Sequence, residues 1–393
     1  MKTHRVIVAV MLNGSFGREA AQGIAEYALS HTRARWEIEF DGASNHPESQ
    51  TRIRRMIREW KPHVIIGQIT VGALPRAIQR AGIRAVSISS FGAWAFPLVL
   101  PDHAAGGTLA AEYLAERKLR NFAYCGMSAT PGALDPTDPM GAAFTVELRK
   151  RGFACELYAP SKRAVHGTGD IDDLRRWLRR LPTPVGILAF SDLRGGEVIQ
   201  ACRGMGLRVP DDTAVLGANN DPLLCSLCSP PLSSIMVSAH QVGFEAAKLA
   251  DALMNGARPP REPKLCPPRG IATRQSTDIL HVADPDLAAA IRYIRENAGA
   301  PINVADVIVK VSVSRRSLER RFIGEFGRTP HAEILRARFE RARTLLAESS
   351  LKITDVARSS GFGRHVKFAK VFKQHVGVAP SEYRERYSGH GSS

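Results

Sequence analysis

Two short segments near the carboxyl end constrain this chain more than any other feature. Residues 312–326 read SVSRRSLERRFIGEF, and residues 354–373 read TDVARSSGFGRHVKFAKVFK. Each contains a turn followed by a helical pattern rich in arginine or lysine. This is the pattern of a helix-turn-helix unit, whose second helix enters the major groove of DNA. The sequence therefore predicts two such units in tandem and double-stranded DNA as the partner.

The charge of the chain agrees with a polyanionic partner. The formal net charge is +16, and the pI is about 10.0. Residues 285–393 contain 20 Lys or Arg and 11 Asp or Glu, so positive charge is denser there than in the first 284 residues. A strongly basic segment favours binding to phosphate groups.

The first unit offers a set of outward-facing polar residues. Val304–Lys310 is predicted as its first helix, and Ser314 as the N-cap of its second. Leu318, Phe322 and Phe326 recur every four residues, so they are predicted to face the core. The polar residues at the start of this helix are then exposed and can contact base edges. The candidate DNA contacts are Ser314, Arg315, Arg316, Glu319 and Arg320.

A long helix predicted over Ala332–Ser349 separates the two units. Its 18 residues span about 27 Å, close to the roughly 34 Å of one DNA turn. One protomer is therefore predicted to reach two adjacent major grooves. Thr354 is predicted to cap the next helix, and the second recognition helix is placed over Arg364–His375. Its candidate contacts are Arg364, His365, Lys367 and Lys370.

Residues 1–272 alternate β-branched runs with helical periods. The run RVIVAVM (5–11) predicts a strand buried on both faces, and similar runs recur at 64–67 and 186–190. The alternation restarts after about residue 100, which predicts two doubly wound parallel sheets with a cleft between them. We expect this ligand domain at 1–272, a linker at 273–284, an all-α domain at 285–388 and a disordered tail at 389–393.

Polar residues at the predicted strand ends are candidate ligand contacts, because open α/β sheets bind ligands outside the carboxyl ends of their strands. These candidates are Asn13, Asp102, Ser191, Asp192 and Asn219. Carboxylates and amides suit a sugar, since one side chain bonds two neighbouring hydroxyls. Two alternatives stay open at this point: Asp102 as a helix cap, and Asn219 as a turn residue.

The second half of this region resembles the ligand domain of the LacI/GalR family. The matching motifs are RVPD at 208–211, VLG at 215–217 and PLSSI at 231–235. The resemblance implies a two-lobed fold like that of periplasmic binding proteins, with a sugar in the interlobe cleft. The family's N-terminal helix-turn-helix has no counterpart here. The sequence departs from the family at Ser191, at Asn219 and near Met140, so another small polar ligand stays open.

Residues 285–388 resemble the DNA-binding domain of the AraC/XylS family. The resemblance is carried by about 100 residues, including Leu318, Pro330, Gly361, Phe362 and Tyr383. GFGRH at 361–365 departs from that family, which usually has a small polar cap there. A LacI-like ligand domain joined to this domain resembles the regulators of xylose operons. It implies a homodimeric, sugar-responsive transcription activator that works with RNA polymerase, with xylose as one candidate ligand.

Other classes of protein are disfavoured. No apolar run reaches the roughly 18 residues of a membrane span, and the first apolar run lacks a cleavage site, which predicts a cytoplasmic protein. Cys225 and Cys228 form a single CxxC without a second pair, so neither metal nor cofactor is predicted. No nucleophile–base pair indicates an enzyme. An enzyme or transport-type sugar binder with a basic domain is the rival hypothesis, and DNA binding that is insensitive to salt would favour it.

Overall fold

The structure of the chain, a computed structural model, describes residues 3–30, 35–42, 47–69, 73–89, 95–117, 119–126, 138–158, 171–279, 284–349, 351–362 and 368–387. Internal contacts divide the chain into two compact units, Met1–Ile279 and Leu280–Ser393. The first contains both parallel sheets and the second is helical among its described residues. The predicted domain and linker limits, including the tail at 389–393 outside the described residues, stay a prediction.

The first lobe is built on a four-stranded parallel sheet of order β2-β1-β3-β4. The two central strands carry Val and Ile on both faces because helices cover both faces there, whereas most residues of the edge strand Arg35–Asp41 are exposed. The elements are β1 (Thr3–Ala9), α1 (Ser15–Ser30), β2 (Arg35–Asp41), α2 (Pro47–Glu59), β3 (Val64–Gly67), α3 (Ala73–Arg80), β4 (Arg84–Ser87) and β5 (Val99–Pro101).

The second lobe is built on a six-stranded sheet of order β12-β10-β9-β8-β6-β7. The elements after β5 are α4 (His103–Glu116), β6 (Asn121–Cys125), α5 (Pro139–Lys150), β7 (Cys155–Leu157), α6 (Ile171–Leu178), β8 (Val185–Ala189), α7 (Asp192–Gly204), β9 (Thr213–Ala218), α8 (Pro222–Leu227), β10 (Ser233–Ile235), α9 (Ala239–Met254), β11 (Lys264–Cys266) and β12 (Ile271–Ala272). The predicted class, two doubly wound parallel sheets, is confirmed. Among the described strands only β12 is antiparallel to its neighbour, and two residues are too few for a periodic pattern to reveal.

The chain passes between the two lobes three times. The passages follow β5, β10 and β11. Helix α9 belongs to the first lobe because it packs on α1, and β11 belongs to it because it pairs with β5. Gly243 of α9 allows that packing, since a Cβ there would lie 1.9 Å from the carbonyl oxygen of Ala20. Phe16 packs against the cores of both lobes. The lobes therefore share a hinge of three strands and touch beside it.

The second unit is a set of seven helices among its described residues. They are α10 (Pro285–Glu296), α11 (Val304–Val311), α12 (Arg315–Phe326), α13 (Pro330–Glu348), α14 (Ile353–Ser359), α15 (Phe368–Val376) and α16 (Pro380–Tyr387). Two small cores result. Ile334 and Ala337 of α13 join the core of α10–α12, while Phe339, Ala342 and Leu346 join that of α14–α16. The predicted all-α domain with two helix-turn-helix units is confirmed.

None of the helices in the described part of the chain is both long and apolar enough to cross a membrane.

Candidate ligand cleft and nucleic-acid interface

Asp221 connects the two lobes at the carboxyl ends of their strands. It follows β9 in the second lobe and is the N-cap of α8. Its Oδ2 accepts hydrogen bonds from the backbone N of Ser15, at 3.2 Å, and from the guanidinium of Arg18, at 3.3 Å. Both donors belong to α1 of the first lobe, and Arg18 also bonds the carbonyl of Leu12. Movement of the lobes must therefore make or break the contacts of this one carboxylate.

Asp192 lies behind Asp221 and is only 2% exposed. Its Oδ2 accepts from the backbone N of Asp221, at 2.7 Å, and its Oδ1 from the hydroxyl of Ser234, at 2.5 Å. Burial raises the pKa of Asp192 to about 7, although both hydrogen bonds and the nearby Arg274 lower it. Because both oxygens are engaged by the protein, Asp192 fixes the position of Asp221, and its contact with a ligand stays a prediction.

The turn between β9 and Asp221 has an unusual backbone. Asn219 and Asn220 both have positive φ, 98° and 51°, a region that Asn tolerates better than most residues. The carboxamide oxygen of Asn220 accepts from Arg274 at 2.8 Å, and its backbone N donates to Ser234. The two asparagines thus serve as turn residues, as the alternative for Asn219 allowed. The half-buried Asn219 as a ligand contact stays a prediction.

The other predicted ligand residues lie at element boundaries. Asn13 is exposed in the turn between β1 and α1. Asp102 is the N-cap of α4, and its Oδ1 accepts from the backbone N of Ala105 at 2.8 Å. Ser191 is the N-cap of α7. Asp102 and Ser191 therefore have structural roles as well, and their contact with a ligand stays a prediction.

A second polar group of the second lobe was not among the predicted ligand residues. Asp138 is the N-cap of α5, is 7% exposed and accepts a short hydrogen bond from the hydroxyl of Tyr124. Burial and this carboxylate raise the pKa of Tyr124. Burial lowers the pKa of the neighbouring His103, while Asp138 and Asp102 raise it. Asp138 comes directly before Pro139, and this Asp-Pro pair at the start of a helix is the local signal that could have identified it.

Thiols and metals contribute little to the cleft. All six cysteines are free, and burial raises the pKa of Cys125 to about 12, so this thiol is inert. No group of three or more His, Cys, Asp or Glu side chains is placed to hold a metal within the described ranges.

The first helix-turn-helix presents three cations at the start of α12. Ser314 is the predicted N-cap, and its hydroxyl accepts from the backbone N of Ser317. Arg315, Arg316 and Arg320 are exposed, while Glu319 is half-buried and pairs with Arg315 at 2.9 Å. Arg316 and Arg320 lie one turn apart without an ion pair to another described residue. Their guanidinium groups are therefore the most available to guanine bases.

The second helix-turn-helix is described in part. Arg364, His365 and Lys367 lie outside the described residues, whereas Lys370 of α15 is exposed. The predicted cap of α14 was wrong: the helix begins at Ile353 with Lys352 as N-cap, so Thr354 lies in its first turn. Gly361 has φ +75°, and a Cβ there would lie 2.4 Å from the carbonyl oxygen of Ala298. A glycine is therefore required at this turn.

Helix α13 holds the two units in one geometry. Its 19 residues span about 28 Å at 1.5 Å per residue. Arg338 donates to the carbonyls of Ala300 and Ile302, and Arg341 to that of Ser359. Glu333 is fully buried, and although burial raises its pKa, Arg336 and Arg328 lower it more. Helix α13 thus packs against both helix-turn-helix units and fixes their relative position.

The fold and these surfaces define a class of protein. A two-lobed ligand domain is joined to a helical domain with two helix-turn-helix units, so the chain is a DNA-binding transcription regulator. Two family profiles agree: the periplasmic binding protein-like domain matches residues 111–277, and a helix-turn-helix domain matches residues 309–386.

The chain belongs to the family of xylose operon regulatory proteins. It is 30% identical over 295 residues to the protein of Haemophilus influenzae, covering 74% of this chain and 75% of that one. The Escherichia coli K12 protein is 29% identical over 392 residues, covering 98% and 97%.

Solved structures agree with this assignment. The structure of the xylose-binding transcription activator xylR matches with a TM-score of 0.71 and 27% identity, covering 99% of each chain. The regulator CelR bound to cellobiose matches with a TM-score of 0.54 and 19% identity over 70% of this chain and 84% of its own. At that identity the likeness shows the fold of the ligand domain alone.

Proposed function

We propose that this chain activates genes of sugar catabolism when a small sugar, xylose first among the candidates, binds in the cleft between its lobes. The observation that carries the proposal is the contact of Asp221 with Ser15 and Arg18 across the lobes. A ligand that engages both lobes would add its own binding energy to this contact and favour the closed arrangement. The names of the full-length relatives support xylose.

The chemistry at the strand ends suits a polyol. Asn13, Asp102, Ser191 and Asn219 supply oxygens and amide groups that can bond hydroxyls. We propose that Asp192 acts through Asp221 and that Asp138, held by Tyr124, is a further contact in the second lobe. A sugar would then replace water at groups already positioned by the fold.

We propose that the regulator works as a homodimer in the cytoplasm, where its DNA is, and that it contacts RNA polymerase as an activator. Exposed apolar side chains on the ligand domain support self-association. Ile38 and Phe40 are 41% and 42% exposed on the edge strand β2, and Leu223 and Leu227 of α8 are 65% and 73% exposed. Burying such side chains against a second copy is favourable.

A regulator that responds to another small polar ligand is the second candidate. The observation that favours it is the presence of Ser191 and Asn219 where related ligand domains carry an amide and a carboxylate. Both changes alter which hydroxyls the cleft can bond, since a carboxylate only accepts hydrogen bonds whereas an amide also donates them.

A thermal-shift screen of the full chain with single pentoses and hexoses tests the proposal. A ligand present at about 100 times its Kd adds roughly 2.7 kcal/mol to the stability of the state that it binds. We expect D-xylose to raise the Tm by several degrees and its epimers to raise it less. The double variant Arg316→Ala, Arg320→Ala should show the same shift, because its changes lie outside the ligand domain. If no pentose or hexose shifts the Tm, the second candidate replaces the first.

A further inference from the structure

The amino ends of the first-lobe strands form a basic surface, which we call the basic pole. Arg5 lies near the start of β1, Arg35 starts β2 and Arg84 starts β4, while Lys61 stands three residues before β3. Arg58 and Arg80 come from the last turns of α2 and α3, which end at the same edge of the sheet. The register supports this, because Val64 pairs with both Val6 and Arg84. The pole lies at the end of the lobe opposite the ligand cleft.

The cations of the basic pole are available to a partner. Arg35, Arg58, Lys61, Arg80 and Arg84 are exposed, and Arg5 is partly exposed. None of the six forms an ion pair with another residue in the described part of the chain. Their neighbours on the helices, including Ile53, Ile57 and Ile78, are buried against the sheet, so the basic side chains are held on a rigid support.

Compensation of helix dipoles does not account for this charge. The C-termini of α1, α2 and α3 lie at the pole, and each carries about half a negative charge. Glu37 and Glu59 add two negative charges among the described residues. Six cations therefore exceed the local negative charge of about 3.5 by about 2.5. An unbalanced surface of this kind attracts polyanions.

We propose that the basic pole is a second DNA-binding surface, which contacts phosphates outside the segment read by the two helix-turn-helix units. Strands about 4.8 Å apart spread the pole over roughly 15 Å. Duplex DNA carries one negative charge per about 1.7 Å, so roughly nine phosphate charges face such a span. Because the helical domain tethers DNA to the same chain, DNA has a higher effective concentration for the pole than other polyanions have. The contact carries no base specificity, because phosphates carry no sequence information directly.

The test compares two DNA lengths with the full-length protein. One duplex of about 25 base pairs covers the two grooves read by the helical domain, and one of about 75 base pairs extends beyond them. Each phosphate contact adds about 0.9 to the slope of log K against log salt. We expect the wild-type slope to be steeper on the long duplex by about 2.

The triple variant Arg58→Gln, Arg80→Gln, Arg84→Gln should lose that difference and retain its affinity for the short duplex. The variant Arg179→Gln, Arg180→Gln, Arg203→Gln removes the same charge from exposed sites of the second lobe and should keep the difference. If the triple variant fails to fold, Lys61→Asn is the second variant, since Asn accepts the positive φ of 47° found there. It should reduce the difference by about 0.9.

Two outcomes would overturn the proposal. One is a wild-type slope that does not depend on the length of the DNA. The other is a length dependence that the triple variant retains. Vesicles of 30% phosphatidylserine serve as the rival polyanion, and binding to them that the triple variant loses while its DNA slopes stay unchanged would assign the pole to a membrane surface instead.

Discussion

Asp192 is a carboxyl group that the fold holds away from water. Its two oxygens accept hydrogen bonds from Asp221 and Ser234, which favour the charged form, yet burial raises its pKa to about 7. The folded state thus binds a proton that the unfolded chain releases near pH 4. The contribution of Asp192 to the unfolding free energy is therefore present below about pH 4 and is lost as the pH rises to about 7.

The variant Asp192→Asn should remove this pH dependence from the ligand domain. Each unit of pKa displacement corresponds to roughly 1.4 kcal/mol, so the wild type should lose up to about 4 kcal/mol relative to the variant between pH 4 and pH 8. Tryptophan fluorescence in urea measures it, because the four tryptophans, at 36, 60, 94 and 177, all precede the helical domain. The control is Asp172→Asn, an exposed carboxylate of α6. An equal difference between wild type and variant at both pH values would show that Asp192 does not titrate there.

Different sides of helix α12 carry arginines with different roles, some exposed to a DNA partner and one bonded within the domain. Arg316 and Arg320 are exposed on one side of the helix, whereas Arg321 on another side bonds Asp284 at 2.6 Å and Asp286 at 3.1 Å. Adjacent arginines of one segment therefore have different roles. The i,i+4 spacing predicted which of them face outward, but the acidic partners of Arg321 come from a helix 35 residues earlier.

We expect Arg316→Ala and Arg320→Ala each to weaken binding to a selected operator by about 1–3 kcal/mol, which is the discrimination of a bidentate arginine–guanine pair. Binding to random-sequence DNA should fall less, because phosphate contacts remain. Selection of operators from a random duplex library, followed by fluorescence anisotropy, measures both affinities. Arg179→Ala, an exposed arginine of the ligand domain, is the control. Equal losses on operator and random DNA would instead assign these arginines to phosphates.

At the scale of the whole molecule, the ligand domain is a pair of lobes joined by three strands and held together at Asp221. In the ion pair between Arg18 and Asp221, the side chain of Arg18 is 46% exposed and that of Asp221 is 8% exposed. Partly exposed ion pairs contribute up to about 1 kcal/mol. That amount is enough to shift an equilibrium between open and closed lobes several-fold.

The variant Arg18→Ala should raise the Kd for the sugar about three- to fivefold, because a smaller share of the protein is closed before the ligand binds. It should also increase the radius of gyration of the ligand-free chain in small-angle scattering. The control is Arg208→Ala, which removes an ion pair with Asp212 inside the second lobe. A raised Kd with unchanged ligand-free scattering would mean that Arg18 contacts the sugar instead of holding the lobes.

Local sequence patterns were sufficient to predict the class of each domain. Repeated β-branched runs that alternate with helical periods indicate covered parallel strands, and the basic helices after turns can be read from local spacing, since both signals depend on neighbours along the chain. For the same reason Ser314 and Asp284 were identifiable as helix caps.

The partners of the polar groups at the strand ends follow from the tertiary structure and not from local sequence. The side chain of Asp221 accepts a hydrogen bond from Arg18, which is 203 residues away in the sequence, and that of Asp192 accepts one from Ser234, which is 42 residues away. Nothing local distinguishes Asp192, which is buried, from Asn13, which is exposed. The ends of parallel strands converge only after the sheets form, so the partners, burial and pKa of a side chain there depend on distant residues.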